Sequence, residues 1–228
     1  MVDLILFGDC KETLKQFPRG SAQMCVTSPP YYGLRDYGGE ANQIGQEETP
    51  EEFVNNLVEV FREVRDVLKD DGVLWLNIGD SYYNYRPGTG GLPKQTVSRT
   101  SQDLPTQCNR RANKLDGLKE KDLIGIPWML AFALRADGWY LRQDIIWHKP
   151  NPMPESVKDR CTKSHEYIFL LSKNKKYYYD NEAIKEPVKQ DWGTRNRDAG
   201  KYHNPGTGLQ PHSGLTKSYE RKNKRDVW

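Results

Sequence analysis

The chain has 228 residues, 36% hydrophobic and 11% aromatic, enough to bury one good core, or one core plus a small appendage. Its mean hydropathy is -0.86 and its charges, 29% of residues with a net +3, are interleaved by sign. That excludes a wholly disordered chain, and no apolar run approaches the roughly 18 residues of a membrane span. Cys10, Cys25, Cys108 and Cys161 form no C-x-x-C pair, and His148, His165, His203 and His212 show no ligand spacing, so neither a disulfide framework nor a metal site is indicated. The start, MVDLILFGDCKETL, lacks the basic region and small-residue cleavage site of a signal peptide, and a cytoplasmic protein is expected.

In chain order, LILFGD reads as a short strand ending at Gly8-Asp9, and CKETLKQF has helical spacing up to Pro18-Arg19-Gly20. Asp9 is equally readable as the N-cap of that helix, and Cys10 and Cys25 fall among residues that read as core. AQMCVT predicts a second strand. It must stop at Thr27 or Ser28, because Pro29-Pro30 cannot donate ladder hydrogen bonds. After the loop TSPPYYGLRDYG, Thr49-Pro50-Glu51-Glu52 offers a cap, a proline at the first helical position and acids in the first turn. Phe53, Leu57, Val60, Phe61, Val64, Val67 and Leu68 then recur at helical spacing up to Asp70-Asp71-Gly72.

VLWLNIGDSYY follows, with an apolar run from Val73 to Ile78 suited to a strand buried on both faces. Residues 84–120 have no period and read as an irregular insertion, which a compact domain tolerates where it binds something or moves. PWMLAFALRADGW predicts a helix with Pro127 near its start and Gly138 at its end, and YLRQDIIWHKP a strand. Trp147 in that strand reads as core rather than as a stacking residue. A polar, proline-rich loop leads to YIFLLSKNKKYYYD, which reads as two strands joined around residues 172–175.

Strands alternating with helices indicate an α/β domain with a mostly parallel sheet and an antiparallel edge hairpin. In such sheets ligands bind beyond the carboxyl ends of the strands, where Asp9, the loop from Ser28 to Tyr31, and Asp80 would emerge. Residues 99–121 and 184–228 are rich in Lys and Arg among Gly, Asn, Ser and Thr, which suits phosphate contacts and equally suits ordinary solvated loops.

The diproline loop has a specific chemical use. An exocyclic amine such as N4 of cytosine or N6 of adenine is a poor nucleophile because its lone pair is delocalised into the ring. Acceptors placed around its hydrogens favour tetrahedral nitrogen and free the lone pair to attack a methyl group. Ser28 can supply one oxygen and the Pro29 carbonyl a second, held still because both neighbouring rings fix φ. Tyr31 can stack on the base, at about 1 to 3 kcal/mol, against the few kcal/mol needed to extract it from a duplex.

TSPPY at residues 27–31 resembles motif IV of amino-methyltransferases that modify DNA with S-adenosyl-L-methionine. Ser in this slot is typical of the N4-cytosine enzymes, and Asp of the N6-adenine enzymes. LILFGDCKETLKQFP is similar to the segment before that motif in the permuted β-class, VLKDDGVLWLNIGDSY to its next core strand, and WHKPNPMPESVKDRCTKSHEYIFLLSKNKKYYYD to the block that closes the base pocket. The resemblance implies a Rossmann-like methyltransferase fold and site-specific methylation of double-stranded DNA within a restriction-modification system. It further implies a catalytic loop of Ser28, Pro29, Pro30 and Tyr31, and Asp9 and Thr27 near the methyl donor. Lys149, Asn151 and Arg160 would shape the base pocket or grip phosphate, and Arg160 is also readable as a surface cation.

The family's F-x-G-x-G donor loop has no counterpart here: Gly88-Thr89-Gly90-Gly91 and Gly206-Thr207-Gly208 neither follow an apolar strand nor open a helix. The expectation is therefore an incomplete sheet, with residues 1–183 the catalytic part and 184–228 a truncated target-recognition region. The chain would be the first part of a larger enzyme or half of a split one, partnered by a complementing C-terminal half or as a homodimer. Ser28 favours N4 of cytosine as the expected target, with an N6-adenine DNA methyltransferase as the first alternative; the others are an inactive DNA-binding fragment and a methyltransferase acting on a protein glutamine amide or structured RNA. Against the latter, only about two dozen residues precede Ser28, fewer than the roughly 30-residue βαβ unit that an upstream donor loop needs.

Overall fold

A computed structural model describes residues 5–36, 43–83, 106–107, 115, 117–188 and 221–228. Its elements in chain order are α1 (Cys10–Leu14), β1 (Ala22–Thr27), β2 (Arg35–Asp36), α2 (Pro50–Val67), β3 (Leu68–Ile78), β4 (Thr106–Gln107), α3 (Ile126–Ala136), β5 (Tyr140–His148), β6 (His165–Ser172), α4 (Asn181–Ile184), β7 (Glu186–Pro187) and β8 (Arg221–Lys222). They fall into two compact units, residues 1–178 with 226–228, and residues 179–225.

The larger unit is built on a four-stranded sheet of order β1-β3-β6-β5. β1 runs parallel to β3, β6 antiparallel to both neighbours, so β1, β3 and β5 point one way and β6 the other. This is the expected α/β class with a mixed sheet. The antiparallel edge hairpin consists of β5 and β6, not of two strands within residues 167–180. Residues 177–180 take other partners: the Tyr178 amide donates to the Asp71 carbonyl at 2.9 Å, and Asp180 caps α4.

The helix α2 forms as its sequence dictates. Thr49 Oγ1 accepts from the Glu52 amide at 3.1 Å while the Glu52 carboxylate accepts from the Thr49 amide, a closed capping box with Pro50 behind it. Its apolar stripe of Phe53, Leu57, Phe61 and Val64 packs with Ile126, Leu130 and Leu134 of α3 onto Leu74, Leu76, Ile78, Phe169 and Leu171 of the sheet. Each Leu or Phe so buried contributes about 1.5 to 3 kcal/mol. The second face is barer toward β1, where Met24 and Val26 are 54% and 69% exposed, while nearer the centre Trp75 packs its ring on Trp228.

Four local expectations change. Residues 5–7 of LILFGD form no strand, and Ile5 and Phe7 are 79% and 90% exposed; an apolar run without a neighbouring edge cannot satisfy its backbone groups as a strand. α2 ends at Val67, and β3 begins at once, because residues 68–72 already lie beside β1, with Ala22 opposite Leu68. Cys10 is exposed, and with Cys25 and Cys161 is a free thiol. Trp147 is 43% exposed rather than core, its ring covered by the Lys149 ammonium 4.5 Å from the centroid. Both glycine runs and most of the basic segments lie outside the described residues.

The smaller unit contains α4 and the antiparallel β7–β8 pair, with Glu186 bridged to Lys224 and Arg225 at 3.3 and 3.1 Å.

Candidate active site

Because β6 runs against its neighbours, its first residues lie where β1, β3 and β5 end. Four strands therefore bring polar side chains to one edge: Ser28 just after β1, Asn77 near the end of β3, Lys149 just after β5 and Glu166 near the start of β6. The loop after β1 adds Tyr31. The Tyr31 hydroxyl lies 3.0 Å from both Asn77 Oδ1 and Glu166 Oε2. Ser28 Oγ is 3.3 Å from Asn77 Oδ1 and 3.5 Å from the Tyr31 oxygen. Asn77 Nδ2 donates to the Tyr167 carbonyl at 3.0 Å, which fixes the amide with its oxygen toward the loop. Lys149 Nζ donates to Glu166 Oε1 at 2.5 Å and closes the cluster.

The loop is held from several sides. Tyr32 packs its ring on Phe53 of α2 at 5.4 Å and donates its hydroxyl to the Glu48 carbonyl at 3.2 Å. The Gly33 amide donates to the Gly45 carbonyl at 2.9 Å. A Cβ on Gly79 would lie 2.5 Å from Tyr31 Cε2, so glycine there makes room for the ring. Pro29 and Pro30 are half-buried and Ser28 is exposed, as a residue that meets a ligand must be.

Charge follows from these contacts. Burial pushes the Tyr31 phenol up to about 12, opposed by a hydrogen bond from Ser28 and supported by the Glu166 carboxylate; the phenol is neutral and donates. Burial alone would raise Glu166, but hydrogen bonds from Lys149, Asn77 and Tyr31 outweigh it and hold the carboxyl below its usual value, ionised at neutral pH. The Ser28 hydroxyl has protein acceptors for its proton, which leaves its lone pairs free for an incoming N–H.

The sequence-derived residues are distributed unevenly. Ser28, Tyr31 and Lys149 come together in the cluster, with Pro29 and Pro30 in its loop. Thr27 ends β1 opposite Leu76. Asp9 is the N-cap of α1, its carboxylate accepting from the Lys11 amide at 2.7 Å. Arg160 pairs with Glu155 and lies over the Tyr82 ring at 4.1 Å, and Asn151 is exposed in the same loop. Asp80 holds the start of α3 through the Gly125 and Ile126 amides. Sequence reasoning missed Asn77, Gly79 and Glu166; a lone amide inside the apolar run of β3 was the available signal for the first.

Comparison with known proteins places the chain in a family. Residues 22–228 match the family model described as DNA methylase, N6_N4_Mtase. The type II methyltransferase M.SmaI of Serratia marcescens is 55% identical over 189 residues, 81% of this chain and 60% of that protein. M.Cfr9I of Citrobacter freundii is 53% identical over 190 residues, 83% of this chain and 60% of that protein. The chain thus spans about 60% of the length of these curated relatives. Among solved structures, PvuII DNA methyltransferase (cytosine-N4-specific) superposes with a TM-score of 0.51 at 18% identity, covering 76% of this chain and 50% of that one, a likeness of fold.

The family draws its methyl group from S-adenosyl-L-methionine. Asp9 is committed to its helix cap, and Thr27 lies on the strand whose neighbours Met24 and Val26 are bare. On the family match across residues 22–228, the chain belongs to the N6_N4_Mtase family of DNA methylases.

Proposed function

We propose that the protein to which this chain belongs transfers a methyl group from S-adenosyl-L-methionine to N4 of cytosine in double-stranded DNA, as the modifying enzyme of a restriction-modification system. The observation that carries the reading is an exposed Ser28 hydroxyl beside two prolines, at the strand ends, with acceptors behind it for its own proton. The Ser28 lone pairs take one amine hydrogen and the Pro29 carbonyl the other. Nitrogen moves toward tetrahedral geometry and its lone pair becomes available to the methyl carbon. The donor supplies an electrophilic methyl and is held by residues outside those described, from the same polypeptide, a complementing C-terminal half or a second copy; Asp9 and Thr27 lie toward it.

Pro30 stiffens the loop and Tyr31 presents its ring to the base. Lys149 shapes the pocket through Glu166 instead of gripping phosphate, since its ammonium is already paired; in the loop that follows, the exposed Asn151 contacts the DNA, and Arg160, paired with Glu155 and lying over the Tyr82 ring, shapes the pocket wall. Residues 1–183 form the catalytic part and 184–228 the target-recognition part. Serine in place of aspartate favours cytosine over the alternative, adenine N6.

The test is transfer of labelled methyl from S-adenosyl-L-methionine to duplex DNA by the whole protein. Ser28→Ala should lose about 100-fold or more in rate. A variant as active as the wild type would overturn the assignment.

A further inference from the structure

Methylating an exocyclic amine leaves a problem that the Ser28 acceptor does not solve. The nitrogen gains a carbon and a positive charge, and must lose a proton before product leaves. Ser28 Oγ can take that proton only if it passes on its own. Its hydroxyl lies 3.5 Å from the Tyr31 oxygen, and the Tyr31 hydroxyl lies 3.0 Å from Glu166 Oε2. The first distance is long for an O–H···O bond, as catalytic contacts often are before substrate is bound.

Resting on the function proposed above, we infer that Ser28, Tyr31 and Glu166 form a proton exit route from the methylated amine to the Glu166 carboxylate. The steps balance. The N–H bond of the cationic amine breaks and its proton joins Ser28 Oγ. The Ser28 hydroxyl proton moves to the Tyr31 oxygen, and the Tyr31 proton joins Glu166 Oε2. The product is a neutral methylamine, Ser28 and Tyr31 are restored, and Glu166 is a carboxylic acid that releases its proton to solvent once product departs.

Three features support the route. Tyr31 is neutral with a proton to give, while Glu166 is ionised and ready to receive it. A protonated aryl amine is so strong an acid that even a stabilised carboxylate is basic enough. Lys149, 2.5 Å from the other carboxylate oxygen, orients Glu166 so that Oε2 faces the phenol. The groups facing Glu166 are Lys149 from the end of β5, Tyr31 from the loop after β1 and the uncharged Asn77 from β3.

The experiment follows steady-state methylation of duplex DNA by the whole protein with S-adenosyl-L-methionine, so that steps after methyl transfer are read as well. Tyr31→Phe and Glu166→Gln should each slow methyl transfer by about 10- to 100-fold with KM for DNA within about twofold, and the double variant should be no slower than the worse single one. Glu166→Ala should regain activity in formate but not in chloride at equal ionic strength, a response that a purely structural carboxylate would not give. Glu166→Gln at full rate, or Glu166→Ala slow and indifferent to formate, would overturn the route while leaving the function standing. If Ser28→Ala matches the wild type, the function itself fails. Circular dichroism separates these results from misfolding, and should Glu166→Ala not fold, the rate of Tyr31→Phe decides alone.

Discussion

The helix-covered face of the sheet and the polar cluster at its strand ends are assembled by different forces. On the face, Phe53, Leu74, Leu76 and Phe169 are fully buried, and position follows from area removed from water, which is large and indifferent to direction. At the strand ends, half-buried Tyr31, Asn77, Glu166 and Lys149 are placed by single hydrogen bonds of 2.5 to 3.0 Å, each modest in energy and strict in geometry. The stability of this unit and the aim of its site are therefore largely separable.

The largest expected effect on stability lies on the face. Phe53→Ala opens a cavity between α2 and the sheet and should cost about 3 to 5 kcal/mol, read from denaturant midpoints. If it costs no more than a surface substitution, burial is not what fixes α2. Gly79→Ala sharpens the contrast from the other side. Its Cβ would meet the Tyr31 ring at 2.5 Å, so methyl transfer should fall at least about tenfold, with an overpacking cost of about 1 to 3 kcal/mol. Full activity would mean that the observed ring position is not the working one.

The smallest effect is one of pH. Tyr31 has its folded pKa raised from 10.0 to about 12, so its contribution to stability is complete below pH 10 and is lost as pH rises toward 12. The wild type should lose stability across that window in excess of Tyr31→Phe. Parallel alkaline melts of the two would contradict a phenol kept neutral chiefly by its burial, with the Glu166 carboxylate adding to the effect.

The same division explains what the sequence disclosed. The Thr49-Pro50-Glu51-Glu52 cap, the stripe from Phe53 to Val64, the strand AQMCVT and the stop at Pro29-Pro30 are local signals, and each appears where its residues predict. The strand expected at LILFGD and the second strand at residues 177–180 fail because strand formation depends on a neighbouring edge that no local pattern encodes. Glu166 is the clearest case. Next to an apolar run it looks like an exposed flank, and it joins the site only because β6 pairs antiparallel with both β3 and β5, opposite Trp147, which brings its carboxylate to a tyrosine 135 residues away. Lys149 stands out in the sequence but its partner does not, because its pairing with the Glu166 carboxylate comes from tertiary register alone.

The claim on which this account rests is that the Ser28 loop directs methylation to a cytosine amine. The most direct measurement is mass analysis of nucleosides from duplex DNA methylated by the whole protein. The account predicts N4-methyldeoxycytidine, absent with Ser28→Ala; N6-methyldeoxyadenosine as the product would contradict it.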